Sequence, residues 1–275
     1  MSQVKNMVRR VILSIGSFIA VFPLIWMLLS GLNDHLMTFV PGNGKGISFT
    51  LENIGYVLFQ SPVPLYIKYS MLISVVTSLY QIITGAMLAY ALTFSKFRCK
   101  KRLYYIIFFT YMLPSAATYI PSYIVLSKLN LLNTYKGLIL SQSVSLFGIF
   151  LLRQNFLEIP KDFVDAAKID GATDWKILWK VVFPLARSGF ITFFLLSFIS
   201  LYNNYMWPAL ITTDSRLYQV SQGVRSFFID DGAYGTKWPL IMAADSIVIL
   251  PLVLMYICAS HVIIHGISGD SGVKG

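Results

Sequence analysis

Acidic residues are scarce in this chain. It has 12 Asp and Glu against 22 Lys and Arg, and only 12% of its 275 residues are charged. Soluble domains average about 25%, so an ordinary water-facing surface is excluded. Cysteine is scarce too: Cys99 lies in a basic run and Cys258 in an apolar one. Neither has a partner at metal-ligand spacing, so neither a disulfide framework nor a metal centre is expected. Catalytic signatures are also missing. No G-x-x-x-x-G-K-[ST] phosphate loop occurs, and PGNGKG (41–46) shares only its composition and reads as a Gly-rich turn. No G-x-S-x-G has a His or acid partner, and His261 and His265 lack the intervening Glu of H-E-x-x-H. A membrane-embedded enzyme is therefore disfavoured. The chain is expected to be non-catalytic, with no metal and no cofactor of its own.

What the chain has in abundance is apolar and aromatic: 56% hydrophobic residues, with 20 Phe, 16 Tyr and 5 Trp. A helix needs about 20 mainly apolar residues to cross hydrocarbon. Six runs are candidates: 11–33, 69–95, 103–127, 137–152, 188–213 and 238–260. The fourth is short and borrows neighbours on either side. The first is too long for a signal-peptide core and no A-x-A site follows it, so it reads as an uncleaved span. The architecture expected is an all-α membrane protein with six transmembrane helices.

The net charge of +10 is distributed by side. With six alternating spans, one side holds Lys5, Arg9 and Arg10, then Lys96, Arg98, Lys100, Lys101 and Arg102. The same side holds Arg153, Lys161, Lys168, Lys176, Lys180 and Arg187, and finally Lys274. The other side holds Lys45, Lys68, Lys128, Lys136, Arg216, Arg225 and Lys237. Short cytoplasmic connections are rich in Lys and Arg, so both termini are expected in the cytoplasm. KFRCKKR (96–102) is then a membrane-flanking anchor. It belongs to no recognisable nucleic-acid-binding module, and no nucleic-acid partner is expected.

One cytoplasmic connection, about 153–187, is unusual. LEIPKDFVDAAKIDGATDWKILWKVVFPLA (157–186) reads as two short helices and a turn. Pro160 suits a first helical turn and Asp162 favours the positive end of its dipole. Gly171 is placed to end the helix in the left-handed region, Thr173 to cap the next, and Pro184 to end that one. Ala166, Ala167 and Gly171 leave little bulk, so another surface can approach closely, beside Asp165, Asp170 and Asp174. A rigid knob of this kind can carry motion from a partner into the spans. A solvated connecting loop with ordinary caps fits these features equally well.

Asp165-Ala166-Ala167, three residues, Gly171, nine residues, then Val181-Val182-Phe183-Pro184 resembles the "EAA" loop of ABC importer permeases. NTYKGLIL (133–140), FGIFLLRQNFLEIPKDF (147–163), YNNYMWPAL (202–210) and GISGDSGVKG (266–275) are similar to its carbohydrate-uptake members, specifically the smaller, maltose-permease-like subunit. The likeness runs over about 65–275 and more weakly over 1–35. Asp165 stands for Glu, Val181 for Ile and Phe183 for Leu.

The resemblance implies one permease domain, 1–275, with the type I ABC importer transmembrane fold and a cytoplasmic coupling helix. Its core is about 65–265, its coupling loop about 153–187 and its tail 266–275. Asp165, Ala166, Ala167, Gly171 and Pro184 would form the ATPase-coupling loop. Gly272, Val273, Lys274 and Gly275 would reach the ATPase, although such a tail by default frays. ATP and Mg would be bound by a cytoplasmic ABC ATPase dimer. A second permease subunit and an extracytoplasmic substrate-binding protein delivering a sugar would complete the assembly in a bacterial or archaeal cell membrane. Tyr218, Phe227, Phe228, Tyr234 and Trp238 in the external stretch 214–238 suit a protein or sugar surface, and equally suit lipid headgroups. Asp245, the one carboxylate in a candidate span, lines a pathway or bonds to Ser246 or another helix. Asn203 and Asn204 face a pathway or cap a span. An ion-coupled secondary transporter is the alternative, but Asp245 is its only intramembrane acid and no repeat is evident.

Overall fold

A computed structural model describes residues 2–33, 49–230 and 238–269. Its helices are α1 (Ser2–Gly31), α2 (Glu52–Phe59), α3 (Val63–Phe94), α4 (Lys100–Tyr111), α5 (Ser115–Lys128), α6 (Tyr135–Ser141) and α7 (Leu146–Leu157). They continue with α8 (Lys161–Ile169), α9 (Asp174–Ile177), α10 (Phe183–Leu185), α11 (Arg187–Tyr202), α12 (Met206–Ile211), α13 (Val220–Asp230) and α14 (Trp238–Gly269). Among the described residues the only β pairing is an isolated bridge between Asn33 and Phe49.

Lys5–Gly31, Val63–Phe94 and Trp238–Ser260 are each long and apolar enough to cross a membrane alone. Three bent pairs bring the total to six: α4 with α5 at 99°, α6 with α7 at 45°, and Asp174–Leu185 with α11 at 88°. The expected third span, 103–127, is thus not straight. Pro114 has no N–H to donate and is itself outside the helical region at φ −58° and ψ 131°, and the chain bends there. The expected fourth span does borrow on both sides, running from Tyr135 to Leu157 with a break at Gln142–Ser145. Thr134 and Ser145 cap its halves, accepting from Gly137 N at 2.9 Å and Gly148 N at 3.1 Å. The expected fifth span, 188–213, ends as a helix at Tyr202 and resumes at Met206.

The chain divides into two compact units. One comprises residues up to Ile67 together with Gly223–Leu250. Its core is Val57, Val63, Leu240, Ala243 and Ala244. Here α1 meets α14 backbone to backbone: a Cβ on Gly31 would lie 2.7 Å from the Ala243 nitrogen. The other unit comprises Lys68–Gln222 and the chain from Pro251. Its main core joins Tyr90, Phe94, Phe156, Phe190 and Phe193 to Val164, Ile177, Leu178 and Val182 of the connector. The Phe193 ring occupies the space a Cβ on Gly148 would need, so glycine lets α11 press on α7. Within the stretch 214–238, expected outside, the described residues form a short turn at Ser215–Leu217, then α13, with Trp238 opening α14.

Candidate functional site: the two-helix connector and the polar breaks

The connector is built as its sequence directs, with two exceptions. Pro160 precedes α8 rather than lying in its first turn. Gly171 has φ +76°, in the left-handed region. Its N–H donates to the Lys168 carbonyl and the Ala172 N–H to the Ala167 carbonyl, both at 3.0 Å. This pair of bonds is a Schellman ending. A Cβ on Gly171 would meet nothing within 4 Å, so backbone conformation, not space, demands glycine. The Thr173 hydroxyl accepts from Lys176 N at 3.4 Å and starts α9. The second exception is Pro184, which does not end the following helix. Leu178–Val182 is a π-helical turn, with Phe183 N–H bonded to the Leu178 carbonyl. That wider turn removes the clash a proline ring makes with the carbonyl four residues back. The helix therefore continues through Leu185 and breaks at Ala186.

One face of this connector is locked to the bundle. Val164, Ile177, Leu178 and Val182 are buried in the main core, and Ala167 and Ala172 pack against it. Tyr90 of α3 donates its hydroxyl to the Asp174 carboxylate at 2.8 Å. The other face is open: Asp165, Ala166, Asp170, Gly171 and Pro184 are exposed. Apolar side chains are exposed among them, Phe163 at 53%, Ile169 at 86% and Trp175 at 56%. Of the Asp-Ala-Ala triplet, then, Asp165 and Ala166 face outward while Ala167 seats the helix.

A second polar constellation lies inside the bundle. Ser197 of α11 donates to Gln81 Oε1 of α3 at 2.5 Å. Its only proton is thereby committed, so Ser78 is the donor in the 3.0 Å contact with Ser197. Gln81 Nε2 donates to the Gln142 carbonyl at 2.6 Å, and the Thr84 hydroxyl is shared between the Tyr80 carbonyl at 2.9 Å and the Ser143 carbonyl at 3.0 Å. Asn204 Nδ2 donates to Gln142 Oε1 at 3.0 Å, and Trp207 Nε1 to Ser141 at 2.9 Å. Two carbonyls of the unwound α6–α7 break are thus met by side chains, as hydrocarbon requires. Asn204 belongs to this network, whereas Asn203 is exposed at the C-cap of α11. Sequence reasoning missed Ser78, Gln81, Gln142 and Ser197; the polar triplet Ser141-Gln142-Ser143 within an apolar run was the available signal.

Asp245 is half-buried in α14, apart from this network. Ser246 donates to the Met242 carbonyl at 2.6 Å and not to Asp245. At the far ends of the spans, Asn133 joins two connections. Its Oδ1 accepts from Thr213 N at 2.6 Å and Asp214 N at 3.3 Å, while its own N–H donates to the Ile211 carbonyl at 2.9 Å. Arg216 bonds the neighbouring Asp214 at 2.8 Å and holds that carboxyl below its ordinary range. Tyr218 is half-buried and Trp238 is exposed. The side chains of Phe227 and Phe228, residue Tyr234, and Gly272, Val273, Lys274 and Gly275 lie outside the described residues.

A cavity of about 590 Å³ is lined by Leu79, Ile83, Trp179, Phe190, Phe194 and Met255, among other apolar side chains. A hydrated solute would leave its hydroxyls unpaired there, so this is not a polar-solute site.

The chain thus joins broken apolar spans to a connector that presents one open face. Residues 81–265 match the family model described as "Binding-protein-dependent transport system inner membrane component", and the chain belongs to that family. It is 29% identical over 269 residues to the sn-glycerol-3-phosphate transport system permease protein UgpE of Yersinia pestis bv. Antiqua, with 94% of each chain covered. It is 27% identical to the lactose transport system permease protein LacG of Rhizobium radiobacter, with 96% of each covered. It is 28% identical to the arabinooligosaccharides transport system permease protein AraQ of Halalkalibacterium halodurans, covering 94% of this chain and 93% of that one. A chain of a bacterial ABC transporter involved in the import of the acidic polysaccharide alginate superposes with a TM-score of 0.82 at 23% identity, covering 94% of this chain and 96% of that one. The fold is that of a type I ABC importer transmembrane domain.

Proposed function

We propose that this permease imports a sugar or oligosaccharide, driven by ATP that a separate cytoplasmic ATPase dimer binds with Mg and hydrolyses. The relatives named for lactose and arabinooligosaccharides support a sugar, and those named for sn-glycerol-3-phosphate make a phosphorylated polyol the alternative solute. A binding protein delivers the solute from outside, and a second permease subunit completes the pathway. Both termini lie in the cytoplasm.

The observation that carries this reading is the two-faced connector. Its inner face is fixed to α3, α7 and α11 by burial and by the Tyr90–Asp174 bond. Its outer face offers Asp165, Ala166 and Gly171, with Ala167 seating the helix and Pro184 further along. A partner holding that face would move three spans at once. Asn204 and Gln142 are the polar groups best placed to border a solute path, with Asn203 and Asp245 as further candidates. The tail Gly272–Gly275 is assigned to the ATPase contact by resemblance alone.

Gly171→Trp tests the docking role. In membranes containing the whole transporter it should insert normally but lower solute uptake at least about ten-fold, while ATP hydrolysis persists. Gly171→Asn, which tolerates the left-handed backbone, should transport near the wild-type rate. Unchanged uptake in the Trp variant would count against docking. Uptake abolished by collapsing ion gradients with ATP present would instead favour an ion-coupled carrier.

A further inference from the structure

Three cations, Lys100 at the start of α4, Arg153 in the second half of α7 and Lys161 at the start of α8, form no ion pair among the described residues. Among the described residues the one ion pair is Asp214–Arg216, which lies elsewhere. Lys100 Nζ donates to the carbonyls of Thr93 and Ser95 at 2.8 and 3.1 Å, tying the ammonium to the end of α3. Its third N–H is left uncommitted. One turn further along α4, Tyr104 presents its ring face to Arg153 of α7, whose Cζ lies 4.2 Å from the ring centroid. Residues four apart share a helix face, so the guanidinium and the ammonium are neighbours. Arg153 Nε is buried and meets no acceptor. Lys161, the first residue of α8, completes the group. The Arg153 and Lys161 charges both act on the Lys100 ammonium.

Such a cluster is self-repelling unless an anion joins it. Its surroundings say which anion. Immediately beyond it, Tyr105, Ile106 and Phe109 of α4 are exposed, and Phe97 is exposed just before it. The cluster therefore lies where the hydrocarbon-facing surface ends, at headgroup depth.

We propose that Lys100, Arg153 and Lys161, backed by the Tyr104 ring, form a seat for the phosphate of an anionic phospholipid headgroup. A guanidinium held flat on a ring keeps its outer N–H groups aligned for two phosphate oxygens. Basic recesses between spans at a membrane surface are suited to such headgroups. Because Arg153 lies on the helix that leads into the connector, an occupied seat would also brace the joint between α7 and α8.

The test uses the purified full chain in nanodiscs of equimolar phosphatidylcholine and phosphatidylglycerol, with retained lipid counted by native mass spectrometry. Phosphatidylglycerol should be retained preferentially. Arg153→Gln and Lys161→Gln should each lower that preference about five-fold. Lys176→Gln, an exposed cation of the same connector, should leave it unchanged. The Lys161 side chain is exposed, so K161Q is expected to fold even if R153Q does not. Equal retention of the two lipids, or an equal loss in K176Q, overturns the proposal. A second arm adds inorganic phosphate at the lipid's concentration: retention should persist, and displacement would assign the seat to a soluble anion instead.

Discussion

At the residue scale, Tyr90 and Asp174 decide whether the connector moves with the bundle. They are 84 positions apart, and their bond ties α3 to α9. Hydrogen bonds to charged groups contribute about 1.5–3 kcal/mol, less where water competes. Tyr90→Phe keeps the ring in the core and deletes only the donor. Its expected effect is a modest fall in melting temperature and a rise in ATP hydrolysed per solute imported. Asp174→Asn keeps an acceptor and should lie nearer the wild type on both measures. Tyr90 could not be singled out from one sequence, because an aromatic in an apolar run carries no mark of its distant partner. Gly171 and Thr173 could be: a left-handed ending and a cap depend only on near neighbours, and both are where local chemistry puts them. Pro184 misled for the same reason. Its effect depends on a π-helical turn upstream that no residue there announces.

Among elements, breaks rather than spans distinguish this bundle. The apolar runs overlap the three full-length spans and the three bent pairs, yet the breaks at Pro114, Gln142–Ser145 and 203–205 lay hidden inside them. Pro114 marked one; the Ser141-Gln142-Ser143 and Asn203-Asn204 pairings marked the others only weakly, since polar residues also occur at span ends. Gln81 is the common support, accepting from Ser197 and donating to the Gln142 carbonyl. Gln81→Leu should strand both and cost about 1–3 kcal/mol. The low end is expected, because hydrogen bonds between membrane helices average nearer ~0.6 kcal/mol. Thermal unfolding of the purified chain in detergent measures this; an unshifted midpoint would mean the network is dispensable.

For the whole molecule, charge placement sets orientation. Most Lys and Arg fall on one side of a six-span count, and that side carries the connector. In a chain with Cys99→Ser and Cys258→Ser, a Lys176→Cys variant should react with a membrane-impermeant maleimide only in inverted vesicles. Labelling in intact cells would reverse the topology. The broken fourth span has one more consequence. The carbonyl at Gln142 accepts from Gln81, and that at Ser143 shares the Thr84 hydroxyl with Tyr80, so α3 acts as the local solvent for a later segment. That makes biogenesis directional. Emerging first, α3 is already waiting when the interrupted segment leaves the ribosome, whereas a circular permutant that delivered α6 and α7 ahead of α3 would strand bare peptide groups in lipid and stall at that step.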